Sequence, residues 1–65
     1  MNLLKQMKFF SVPLTAVINA SGYSQSYVTQ VLKGERYNEK IVLIAKTALR
    51  NRKEELLTEL LKESA

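Results

Sequence analysis

Apolar positions recur along this chain at three- and four-residue spacing, and no segment looks like a strand, so the pattern predicts an all-α fold. Leu3, Leu4, Met7 and Phe10 mark the buried side of a first helix from Asn2 to about Phe10, with Lys5 and Lys8 off that side. Ser11-Val12-Pro13 reads as a break and restart: Ser11 can cap, and Pro13 is tolerated in a first turn, where its missing N–H has no intrahelical partner. A second helix from about Val12 to Ala20 then buries Leu14, Val17 and Ile18. A third runs from Ser24 to Lys33, with Val28, Val31 and Leu32 on one face. Glu35-Arg36-Tyr37 forms a loop, and Asn38 can cap a fourth helix with the apolar stripe Ile41, Ile44, Ala45, Ala48 and Leu49. Beyond the polar stretch from Arg50 to Glu55, the leucines Leu56, Leu57, Leu60 and Leu61 form a second apolar cluster. The pattern leaves open whether residues 39–63 form one helix or two.

The stretch from Gly22 to Gly34 carries the sharpest signal. Gly22 can adopt the left-handed geometry that other residues enter only at a cost, Ser24 is a good N-cap, and Gly34 ends the helix as a C-cap. Opposite its apolar face, the third helix presents Gln25, Ser26, Thr29, Gln30 and Lys33. A short polar helix with amide side chains near its N-terminus suits the reading of base edges in a major groove. A Gln amide donates and accepts at once, and so can pair bidentately with adenine N6 and N7. The plainer reading is that Gln25 and Gln30 are ordinary solvated helix residues.

Charge and composition narrow the alternatives. Sixty-five residues allow one small domain (1–65), with a helix-turn-helix over 12–33, near the lower limit for a core without disulfides or metal. The chain has no Cys, His or Asp, so most nucleophile–base pairs and metal-hydrolysis sites cannot be assembled; no enzyme activity and no cofactor are expected. Residues 1–53 carry nine basic side chains against Glu35 and Glu39, a local charge of +7, while residues 54–65 carry Lys62 against four glutamates, a local charge of −3. A basic body with an acidic end suits a protein that lays one surface on a polyanion and keeps its C-terminus away from it. Lys5 and Lys8 followed by the apolar run from Phe9 to Ile18 loosely imitate a secretory signal ending at Ala20, but Pro13 and Thr15 interrupt that run. The expectation is therefore a cytoplasmic protein of a bacterial host cell, associated with the nucleoid, with no membrane and no small-molecule partner. In such a compartment the glycosylation sequon Asn19-Ala20-Ser21 is without meaning.

Leu14–Gly34 resembles the DNA-binding domains of phage repressors and Cro proteins, the lambda-repressor-like helix-turn-helix group, and Gly22–Val31 is also similar to the headpiece of Lac-type repressors. The resemblance rests on the turn glycine Gly22, on Ser24 at the helix start, on Val28 six residues after the glycine and Val31 three further on, and on the Leu32-Lys33-Gly34 ending. It covers about a third of the chain directly and implies a four- to five-helix lambda-repressor-like domain. It also implies that Gln25, Ser26 and Gln30 contact bases, and that Thr29, among them, and Ser24 sit where phosphate contacts are common. One departure is Ile18, four places before the turn glycine, where the family prefers a small residue. Either its neighbours make room or the interhelical angle differs.

Further phosphate ligands are expected around this helix. Thr15, with the first amides of helix two, can bind a phosphate at the positive end of that helix or serve only to initiate it. Lys33, Arg36 and Lys40 surround the end of helix three and are candidates for phosphate clamping. Tyr27 can place its hydroxyl on a phosphate or pack on the domain, whereas Tyr23 and Tyr37 are expected to pack at the core edge. Residues 53–64, with Leu56, Leu57, Leu60 and Leu61, either fold back onto helix one to complete the core or form a homodimer interface. The resulting expectation is a double-stranded DNA-binding transcriptional regulator, a phage or prophage-type repressor reading a pseudo-palindromic operator as a homodimer. Its rivals are an excisionase-like architectural DNA binder and a protein-interaction module of antitoxin or anti-repressor type.

Overall fold

The computed structural model describes residues 2–64 and contains four helices: α1 (Leu3–Phe9), α2 (Leu14–Ser21), α3 (Gln25–Lys33) and α4 (Glu39–Ser64). No strand occurs among the described residues, in agreement with the apolar spacing. Three of the four starts use a side-chain cap. Asn2 accepts the Lys5 N–H at 3.2 Å, Ser24 accepts the Tyr27 N–H at 3.3 Å, and Asn38 accepts the Ile41 N–H at 3.2 Å.

The junction between α1 and α2 departs from the sequence expectation. Ser11 does not cap α2; it is left-handed, at φ 59°, and closes α1. Its N–H bonds to the Lys8 carbonyl at 3.3 Å and the Val12 N–H bonds to the Met7 carbonyl at 2.8 Å, the paired return of a Schellman turn. A serine thus fills a place usually given to glycine. Pro13 takes the cap position of α2 with no side-chain hydrogen bond, so that helix begins at Leu14 rather than Val12.

Residues 39–64 form one continuous helix of 26 residues. The polar stretch in its middle holds neither Gly nor Pro, and it is rich in Arg, Lys and Glu, which favour helix. α1, α2 and α3 pack around the first half of α4. The core that results joins Leu3 and Met7 of α1, Val17 of α2, Val28, Val31 and Leu32 of α3, and Ile41, Ala45 and Leu49 of α4. Leu4, Phe10, Leu14 and Ile18 pack against its edge.

The basic residue after this core has a structural duty. Arg52, half-buried, donates from Nε to the Phe10 carbonyl at 3.0 Å and pairs with Glu55 at 3.3 Å. It therefore ties the end of α1 to α4 across 42 residues of sequence. The Glu55 partner is exposed, so the carbonyl bond carries most of the effect. Arg52→Ala is expected to cost about 1–2 kcal/mol and lower the melting temperature by roughly 5–15 °C in circular dichroism, whereas the exposed Arg50→Ala leaves it nearly unchanged.

Among the described residues beyond Arg52, only Leu56 retains partial burial. At about 1.5 Å per residue α4 is roughly 39 Å long, close to the 43 Å long axis of the molecule, so its last turns run out past the three-helix body. Leu57, Leu60 and Leu61 are 57%, 60% and 63% exposed. These leucines do not fold back onto helix one, and the core closes without them.

Candidate nucleic-acid interface

The orientation of α3 is set by the three-residue connection 22–24. Gly22 is left-handed at φ 78°, and its N–H returns to the Ile18 carbonyl at 3.0 Å to end α2. Ser21, only 4% exposed, donates its hydroxyl to the same carbonyl and accepts the Tyr23 N–H, both at 3.2 Å. The chain is thereby bonded on both sides of the glycine before Ser24 starts the next helix. Ile18, half-buried, rests against the edge of the core.

With Val28, Val31 and Leu32 turned into the core and Tyr27 packed against its edge, Gln25, Ser26 and Lys33 are left exposed, and Thr29 and Gln30 half-buried, on the other side of α3. Gln25, Ser26, Thr29, Gln30 and Lys33 line one shallow, open concavity with Glu35. The residues singled out in the sequence as base readers are thus gathered on one surface. Glu35 was not among them. It arrives there because α3 ends in a Schellman turn, with the Glu35 N–H on the Gln30 carbonyl at 2.9 Å and Gly34 left-handed at φ 90°. A carboxylate in this place repels phosphate but can accept from the cytosine N4 amine.

The same turn brings Arg36 back alongside Gln30. Its Nε donates to Gln30 Oε1 at 2.7 Å, and its backbone N–H reaches the Gln30 carbonyl at 3.3 Å. The amide of Gln30 is consequently oriented: its oxygen is engaged and its NH2 is free to donate. Six residues of separation lie outside the i, i+4 rule for helix neighbours, so linear spacing gives no sign of this pair.

The two flanks of α3 differ. Lys33 and Arg36 lie at its C-terminal end, both exposed. Lys40 does not join them as the sequence reading expected; its Nζ stands 6.0 Å from the centre of the Tyr23 ring, beside the connection into α3. Tyr23 in turn packs on Tyr27 with ring centres 5.1 Å apart. The Tyr27 hydroxyl accepts from Asn38 Nδ2 at 3.3 Å, which leaves its own proton available to a phosphate. Basic groups therefore bracket α3 at both ends.

Tyr37 is 77% exposed and does not pack at the core edge, contrary to expectation, and Tyr23 is only partly covered at 41%. Thr15 is exposed in the first turn of α2 and is not among the residues lining the α3 surface. Ser24 is exposed with its oxygen engaged as a cap, so only its proton and its backbone remain for a phosphate. Three more cations, Lys46, Arg50 and Lys53, follow one another at i, i+4 and i+7 on α4 and line a groove with Leu3 and Gln6 of α1. That spacing was visible in the sequence, but the Arg50–Glu55 segment read as uniformly polar.

No helix of the described residues is long and apolar enough to cross a membrane. No protein-family model matches the chain, and neither the curated proteins nor the solved structures give a match.

Proposed function

We propose that this protein binds double-stranded DNA by placing α3 in the major groove, and that it acts as a transcriptional repressor of the lambda-repressor-like helix-turn-helix type. The observation that carries the reading is the gathering of Gln25, Ser26, Thr29 and Gln30 on one outward face of a capped helix, bracketed by cations at both ends. Amide and hydroxyl groups on a short helix provide donors and acceptors for base edges, while Lys33, Arg36 and Lys40 supply charge for the phosphates on either side. The acidic end of α4 points away from the body and would be spared contact with a polyanion. Repression would follow from occupancy of the site, which excludes polymerase.

Salt dependence tests this directly. Three phosphate-neutralising groups per protomer predict a log–log slope near −2.7, hence roughly a 40-fold loss of affinity per half-site between 50 and 200 mM salt. Fluorescence anisotropy with a labelled duplex measures it. A slope near zero would refute the reading.

A further inference from the structure

We infer that the protruding end of α4 is a self-complementary surface that pairs, antiparallel, with the same segment of a second copy. Lys53, Leu57, Leu60 and Leu61 share one face of the helix at i, i+4, i+7 and i+8, with Leu56 and Glu63 on its flank. Read along the helix, that face runs from a cation through four leucines to an anion. Reversing one copy against another sets leucine on leucine and brings Lys53 of each, whose Nζ stands 5.0 Å from the centre of the Phe10 ring at the edge of the body, beside the last turn of the other, where Glu63 lies; the ion pair requires the ammonium to turn from that ring toward Glu63. A parallel pair would instead stack Lys53 on Lys53 and Glu63 on Glu63, and would align the two helix dipoles unfavourably. The body covers Leu56 only in part, and the three outermost leucines are more than half exposed.

The contact is small. Eight leucines and two flanking ion pairs make an interface smaller than the ~1,600 Å² standard, and the expected dimer is weak, with a dissociation constant of roughly 10 µM to 1 mM, about 4–7 kcal/mol. With the pairing centred between Leu57 and Leu60, the two Ala45 positions lie about 40 Å apart along the helix axis. That is close to the ~34–36 Å between successive major grooves on one side of B-DNA. The pairing stands without DNA; its fit to two half-sites rests on the DNA-binding reading above.

Sedimentation equilibrium of the full chain without DNA, from 10 µM to 1 mM, tests the pairing separately from DNA binding. The expected result is a reversible monomer–dimer equilibrium, shifted at least tenfold toward monomer in Leu57→Gln/Leu61→Gln with the thermal melt unchanged. Lys53→Glu should weaken the dimer and Lys53→Glu/Glu63→Lys should restore it. A nitroxide on Thr47→Cys should report a separation of about 35 Å along the axis, against 20 Å or less in a parallel pair. A monomer at every concentration, a dimer indifferent to the leucine changes, or no rescue by the double charge swap would overturn the proposal.

Discussion

Leu32→Ala is expected to leave the chain largely unfolded at 25 °C. Leu32 is fully buried in the core, on the inner face of the helix that presents the candidate site, in one cluster with Ile41, Ala45 and Leu49 of α4. Truncating such a leucine typically costs about 2–5 kcal/mol, from the lost transfer energy and the cavity left behind. A core of this size in a chain below 70 residues rarely supplies more than about 3–5 kcal/mol in all. The substitution therefore removes most or all of the margin, and the helical circular dichroism signal should collapse with it. Leu61→Ala provides the contrast: the same chemical change at a residue 63% exposed should leave the melt within a few degrees of the parent. Equal effects from the two would contradict the placement of the core.

The second large effect concerns Gln30 and Arg36. Gln30→Ala is expected to cost about 1–3 kcal/mol in DNA binding and to relax preference at one base position. From the sequence alone Arg36 reads as a phosphate contact, whose loss weakens every sequence alike. The hydrogen bond from Arg36 Nε to Gln30 Oε1 changes that expectation. It engages the Gln30 oxygen and leaves the NH2 to donate; if α3 lies in a major groove as proposed, that favours an acceptor such as guanine O6 or thymine O4 over bidentate pairing with adenine. Arg36→Ala should then lower affinity and also redistribute preference at the base Gln30 reads, toward adenine as the amide is freed. Arg36→Lys, which keeps the charge but loses the planar guanidinium, should recover affinity more than specificity. Binding profiles of the three variants on a set of single-base substitutions measure both quantities. Uniform weakening by Arg36→Ala, with no change at any position, would show that the two side chains act independently on DNA.

Much of the architecture was legible because the strongest determinants are local. The caps Ser24 and Asn38, the turn glycines Gly22 and Gly34, and the apolar faces of α3 and α4 each announce themselves within a few residues. What escaped depends on how the chain returns on itself. Ser11 as a left-handed helix end, Arg52 bonded to Phe10, and Arg36 bonded to Gln30 are set by turns and packing that linear spacing does not encode. Leu56 to Leu61 posed a different difficulty: an apolar cluster at helical spacing looks the same whether it closes a core or projects from one. The continuity of α4 through its polar middle decides between them, because the unbroken helix carries Leu57, Leu60 and Leu61 out past the body.

Whether α3 reads DNA sequence is tested by selection of bound duplexes from a random DNA pool by the purified protein at near-physiological salt, followed by sequencing. The expected result is an enriched motif, arranged as an inverted repeat with half-sites about one helical turn apart, that is lost or altered in the Gln30→Ala and Ser26→Ala variants. A folded protein that enriches no sequence, or enriches the same sequence when both residues are replaced, would contradict it.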